Sequence, residues 1–184
     1  MAMSPTTGVR PARAGDPAPI SAVQSRAWRS AYADLLPEAA LAALTPRTLQ
    51  PAWQQAVTRP PSPRHAVLVA TTDDIVVGFA AVGPSEDRDA TDGDGQITVL
   101  AVDPGHVRAG HGSRLLSAAV DHARTHGLGS LTVWVPERDR ARQALFTSAG
   151  MLPDGARRSF SGAGGAEVAE IRLAADIAPD PAGG

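Results

Sequence analysis

Apolar residues along this chain alternate between helical spacing and short β-branched runs. Ile20, Val23, Ala27 and Trp28 recur at helical spacing. Asp16 followed by Pro17 predicts the start of that helix, an N-cap with proline in the first turn. Two more helical stretches are expected over Pro37–Leu44 and Pro46–Val57, the second kinked at Pro51. His65–Thr71 and Ile75–Val82 read as strands joined by a hairpin at Asp73-Asp74, and Gln96–Val102 as a third strand. Ser113–His126 places Leu115, Leu116, Ala119, Val120 and Ala123 on one face of a helix that Gly127 ends. Leu131–Val135 reads as a buried strand, Asp139–Ala149 as a short helix closed by Gly150, Asp154-Gly155 as a turn and Glu167–Ala174 as a last strand. The order, helices and then β-β-β-α-β-α-β with a final hairpin, predicts an α/β (α+β) domain with a mixed sheet and helices on its faces.

Three breaks, Arg59–Arg64, Gly83–Gly95 and Ser161–Gly165, read as loops within one domain over residues 9–177. Residues 1–8 and 178–184 are small and rich in Pro and Gly, and are expected to be frayed tails. A chain of 184 residues can bury roughly 70% of its unfolded surface, enough for a real core. Seventeen basic against nineteen acidic side chains leave a net charge of −2, so bulk charge calls for neither nucleic acid nor an anionic membrane. No apolar run approaches the ~20 residues of a membrane span, and the N-terminus lacks a secretory core, so a cytoplasmic location is expected. There is no Cys, and hence no thiol nucleophile or thiolate metal site; there is no Lys either, which excludes a Schiff-base amine.

The chemistry-bearing stretch is LAVDPGHVRAGHGSRLL, Leu100 to Leu116. A strand ends, a Pro-Gly turn follows, and Gly110 and Gly112 open a helix, leaving backbone N–H groups accessible to a ligand. Unpaired amides and the helix dipole make such a start an anion site, with Arg108 and Arg114 adding positive charge. Pyrophosphate is the natural occupant; a plain strand-to-helix turn is the other reading. A dinucleotide fingerprint fails because Leu115 stands where its third Gly belongs, and a phosphate loop starting at Gly105 fails because His111 replaces the lysine.

The succession VDPGHVRAGHGSRLLSAAVDHAR, LTVWVPE and ALFTSAGMLPDG, preceded by RAWRSAYADLLP, resembles the GCN5-related N-acetyltransferase superfamily, the last stretch a common bacterial branch of it. The resemblance spans about Val9 to Leu173. It implies a mixed, mostly antiparallel sheet whose central parallel strands splay apart to hold acetyl-CoA, with no metal. Backbone groups of Leu100, Ala101 and Val102 are then expected to bind the pantetheine and polarise the thioester carbonyl. The amides of Arg108, Ala109, Gly110, His111, Gly112 and Ser113 are expected to hold the pyrophosphate. Asp139 and Phe146 are the last-helix positions expected along the cofactor.

Several positions depart from the family pattern. Val107 replaces the Gln or Arg that usually begins the phosphate loop, Gln96 a frequent Glu base, and Phe146 the Tyr that protonates the departing thiolate. Arg142 and Asp139 likewise stand where Ala and Asn are usual. Glu137, at the exit of its strand, and Tyr32, the only tyrosine, are the candidate catalytic groups; a surface carboxylate and a capping aromatic are the alternatives. The acidic run Glu86, Asp87, Asp89, Asp92, Asp94 reads as a solvated loop, and His122 with His126 as surface histidines. Trp28, Trp53 and Trp134 read as packing residues, with the face that Trp134 takes left open.

The expected activity is transfer of an acetyl group from acetyl-CoA to a primary amine, either a small molecule or a protein N-terminus, by direct attack. A non-catalytic acyl-CoA-binding module is the alternative. Family members are often dimers, which leaves a homodimer open.

Overall fold

The computed structural model describes residues 5–34, 37–161 and 167–178. Its elements are strand β1 (Thr7–Pro11), helices α1 (Pro17–Ala31), α2 (Glu38–Ala43) and α3 (Pro46–Thr58), and strands β2 (Ala66–Thr72), β3 (Ile75–Pro84) and β4 (Asp94–Val102). A 3-10 turn (Pro104–His106) precedes α4 (His111–Thr125), followed by β5 (Ser130–Pro136), α5 (Arg140–Ser148), β6 (Leu152–Ser161) and β7 (Glu167–Asp176). One seven-stranded sheet, in the order β1-β2-β3-β4-β5-β7-β6, joins them. All pairs are antiparallel except β4 with β5. Among the described residues no helix is long and apolar enough to cross a membrane.

The central strands are apolar on both faces because both faces are covered. Leu68, Ala70, Ile97, Leu100, Val133, Val135 and Leu173 pack under Leu115, Leu116, Ala119 and Ala123 of α4 and Phe146 of α5. On the opposite face Val67, Val69, Phe79 and Ala101 pack under Ile20 and Val23 of α1 and Trp53 of α3. Each fully buried Leu or Ile contributes roughly 1.5–3 kcal/mol of transfer free energy, so these two clusters dominate the stability. Trp53 is a packing residue, as expected: its ring meets Phe79 edge-on at 5.0 Å and its Nε1 donates to Gln24 Oε1.

Several local expectations change. Thr7 and Gly8 are not tail but the start of β1, paired with Thr72 and Thr71, and Ala178 donates its N–H to Gly129 O. Residues 1–4, 179–184 and most of the expected 161–165 break lie outside the described residues. The strand β1 escaped notice because it is only five residues long, with no continuous apolar run. Helix α3 runs through Pro51, six residues into it. Asp16 stands at the N-cap of α1 without capping it, because its carboxylate accepts instead from Arg10 and from Arg13 N–H. These contacts outweigh burial and hold Asp16 below the usual carboxylate range. Asp154-Gly155 is no chain-reversing turn but a bulge inside β6, where Gly155 takes φ +91°. The Asp73-Asp74 hairpin forms as expected, both residues at positive φ.

Two irregularities shape the middle of the sheet. In β4 the register skips Thr98, since Ala81 faces Val99 and Val82 faces Ile97. This bulge bends the strand and lets Ile97 and Leu100, three residues apart, both face α4. The parallel ladder to β5 holds only from Asp94–Ser130 to Ile97–Val133. Beyond it the two strands have no mutual pairing, which is the splay expected.

At the closed end of the splay Gly95 faces Leu131, and a Cβ there would stand 2.8 Å from Leu131 Cδ2 and 3.1 Å from Ser130 O. Gly95→Ala is expected to lower unfolding free energy by about 1–3 kcal/mol in urea titration. An unchanged midpoint would show that the two strands are not locked there.

Candidate active site

The parted strands form a cleft that opens toward the carboxyl ends of β4 and β5, and the loop to α4 closes one end of it. Side chains of Leu100 and Ala101 are buried in the two cores, and Val102 packs beside the first. What these residues offer a ligand is therefore the backbone edge facing β5, from Thr98 to Val102, which has no strand partner.

The loop itself is a run of free donors. Among the described residues, the N–H groups of Arg108, Ala109, Gly110, His111, Gly112 and Ser113 have no acceptor; the first bond of the α4 ladder runs from Arg114 N to Gly110 O. Gly110 caps the helix at φ +80°, and Arg108 also takes a left-handed conformation at φ +65°. Six consecutive amides over a helix N-terminus, with Arg108 and Arg114 beside them, have the geometry of an anion cradle. Arg114 folds back to donate to Ala109 O at 3.0 Å. Asp103, ahead of the loop, accepts from Gly105 N–H and from Arg26 of α1. Burial opposes its charge, but these donors prevail and keep it ionised below the usual range.

Gly112 has a packing role besides the one expected. A Cβ on it would meet the Leu145 side chain at 3.2 Å, so the missing side chain also lets α5 approach α4, while its amide stays without an acceptor among the described residues. The His111 side chain turns inward: it is 3% exposed, its Nε2 lies 3.3 Å from Thr72 Oγ1, and its Nδ1 is buried without a partner among the described residues. Its contribution to the cradle is its amide.

The last helix is built for packing. Asp139 caps α5 by accepting from Arg142 N–H at 2.9 Å, and Phe146 is 1% exposed within the core. Gln143, which the sequence did not single out, is buried and donates to Pro136 O and Glu137 O, tying α5 to the end of β5. Glu137 accepts from Arg157 Nη1 at 2.6 Å in a shallow depression between α5 and β6. Tyr32 stands on the other side of the sheet, at the C-terminus of α1, edge-on to Trp28 at 6.1 Å. The two candidate catalytic side chains are thus not brought together.

Gln96 and Trp134 share the sheet face opposite α4, because their neighbours Ile97, Val133 and Val135 point into the α4 core. The acidic loop over this face is not merely solvated. Asp87 accepts from Trp134 Nε1 and Arg172 Nη1, and Asp89 from Arg172, which lowers Asp89 to about 2. Asp92 bonds Arg64, and Asp94 bonds Thr91 and Ser130. No sequence signal pairs these carboxylates with an arginine some 80 residues away.

The family model described as "Acetyltransferase (GNAT) family" matches residues 26–151, from α1 to the end of α5. The chain belongs to this family. Among solved structures, ribosomal-protein-alanine N-acetyltransferase of Brucella melitensis superposes with a TM-score of 0.74 at 20% identity, over 92% of this chain and 99% of that one. The PaiA N-acetyltransferase of Thermoplasma acidophilum in complex with coenzyme A gives 0.73 at 14% identity, covering 93% and 99%. A putative acetyltransferase of Salmonella typhimurium with its cofactor acetyl-CoA gives 0.73 at 19%, covering 96% of each chain. No curated protein matches the chain. The GNAT fold expected from the motifs is therefore the fold observed.

One buried and one half-buried histidine, His111 and His122, make a pH prediction. Burial lowers the affinity of His111 for a proton, with Arg114 and His106 adding repulsion. Burial also lowers His122, against the pull of Arg64 O and with His126 and His65 adding repulsion. Both therefore bind a proton less readily in the folded chain than in the unfolded chain, which takes protons up from about pH 6.5 downward. Stability is full above that pH and falls below it, by at most ~1.4 kcal/mol per pH unit for one group. Thermal unfolding is expected at a lower temperature at pH 5.5 than at 7.5, and His111→Leu, which also removes the orphaned Nδ1, should flatten the difference. An identical slope in that variant would assign the effect elsewhere.

Proposed function

We propose that this GNAT chain is an acetyl-CoA-dependent N-acetyltransferase acting on a primary amine. The carrying observation is the pairing of a splayed β4–β5 cleft with six unpartnered amides at the start of α4. Solved relatives of the same fold hold coenzyme A or acetyl-CoA, and this cleft and cradle suit a long, diphosphate-bearing thioester. The amides of Arg108 to Ser113 take the pyrophosphate, and the free edge of Leu100 to Val102 takes the pantetheine and polarises the acyl carbonyl. Acetyl-CoA supplies an activated acyl group.

The amine attacks directly: a C–N bond forms as the C–S bond breaks, the ammonium proton passes to water, and the sulfur leaves as thiolate. A thiol with a pKa near 8.5 leaves tolerably without an acid, so the buried Phe146 is compatible with turnover. General acid catalysis supplies ~10²–10⁴-fold where it operates, and its loss slows such a reaction without removing positioning. Glu137 is left out of this mechanism because Arg157 occupies its carboxylate beside α5. Tyr32 remains the candidate hydroxyl on the acceptor side. Phe146 and the non-titratable Gln96 favour the second reading, a module that binds acyl-CoA without turnover.

Free thiol released from acetyl-CoA across a panel of amines decides between the two. Transfer is expected with at least one amine. Gly110→Val, which forces a branched side chain into φ +80°, should weaken acetyl-CoA binding at least ~10-fold. Arg108→Ala should cost less than Gly110→Val, since backbone donors do most of the holding. Saturable binding with no thiol released on any amine would favour the module.

A further inference from the structure

Helices α1 and α3 pack on the sheet face over β2, β3 and β4, and over β5 and β7 on that side lies the acidic loop that bonds Trp134 and Arg172. Trp134, the first residue of β5 beyond the parallel ladder, stands there at the mouth of the cleft. Its Nε1 donates to both oxygens of Asp87 at 3.1 Å. Arg158, opposite Glu170 in the β6–β7 ladder, lays its guanidinium on the indole, with Cζ 4.3 Å from the ring centroid. Its Nε donates to Glu170 Oε2 at 2.6 Å, and the Glu170 side chain is only 9% exposed. Stacking fixes the plane of the guanidinium, and the buried carboxylate fixes its rotation.

The two arginines of this face differ in what they have left to give. Arg172 spends Nε on Asp154, Nη1 on Asp87 and Asp89, and Nη2 on Asp89. Arg158 uses Nε alone; among the described residues its Nη1 and Nη2 have no acceptor, and the side chain is 49% exposed. Two outer nitrogens of a guanidinium held flat are the fork that a carboxylate accepts at both oxygens. Around the fork, three carboxylates (Asp87, Asp89, Asp154) face one guanidinium (Arg172), a surplus of two negative charges. That surplus suits an ammonium group close to the one anion receptor.

We propose that Arg158, held by Trp134 and Glu170, receives the carboxylate of the acceptor, and that the acceptor is therefore a free α-amino acid. The inference rests on the N-acetyltransferase reading and deepens it. A peptide N-terminus has no carboxylate on the carbon bearing its amine, and a diamine meets Arg158 as a like charge.

The test measures thiol release from acetyl-CoA with the twenty standard L-amino acids, their α-amides and 1,4-diaminobutane. At least one amino acid should be acetylated, its amide at least ~10-fold less efficiently in kcat/KM. Arg158→Ala should raise KM for the amino acid about 10- to 100-fold with little change in kcat. Arg158→Lys should restore only part of the loss, because an ammonium keeps the charge without the fork. Amides or the diamine serving as well as the amino acids, or an unchanged KM in Arg158→Ala, would overturn the inference while leaving acetyl transfer intact. If no amine is acetylated, calorimetric titration of the same amino acids into the protein with coenzyme A decides. Binding that disappears in Arg158→Ala supports the receptor without the transfer, and absence of binding to the parent protein overturns it.

Discussion

Parallel pairing between β4 and β5 ends at Ile97 and Val133, and each strand then keeps only its outer neighbour. A sheet loses hydrogen bonds wherever two strands part, and bare backbone in a protein interior is costly unless something satisfies it. The chain offsets that loss on both sides. Leu100 and Ala101 sink into separate cores, and Val133 and Val135 anchor β5 under α4. The bulge at Thr98 bends β4 at the point of departure. A wedge with a free backbone edge on each strand results, and an extended ligand with its own amides can complete it.

The same logic governs the loop before α4. A helix start that bonded its own amides, through a side-chain cap, would have nothing to give an anion. Gly110 supplies no side chain, and Arg108 turns the chain through a conformation that few residues adopt willingly. Donors stay open there while Asp103, Gly105 and Arg26 fix the preceding turn. On the far side of the sheet, charge is satisfied by pairing instead: Arg172 gathers two carboxylates from the β3–β4 loop and one from the β6 bulge, and steadies the surface against which an acceptor would rest.

The order of elements, the α4 face and the Gly110 cradle were legible because each depends on local periodicity or on a turn that demands glycine. Splaying of the central strands came from the family resemblance and not from composition or spacing. What stayed hidden depends on contacts distant in sequence. Nothing near Glu137 announces that Arg157 will occupy it, and nothing in the run from Glu86 to Asp94 announces Arg172. The packing of Gly112 against Leu145 of α5 is hidden for the same reason. His111 carried a polar label, yet α4 turns it against Thr72 in the interior. The five residues of β1 carry no apolar run, and only pairing with β2 makes them a strand.

The backbone amides of residues 108 to 113 are the most direct witnesses to this account. In ¹⁵N-labelled protein, saturating coenzyme A should shift those six resonances together with those of Leu100 to Val102, and slow their exchange with solvent. Resonances that stay in place and keep exchanging freely, while shifts gather at some other surface, would contradict it.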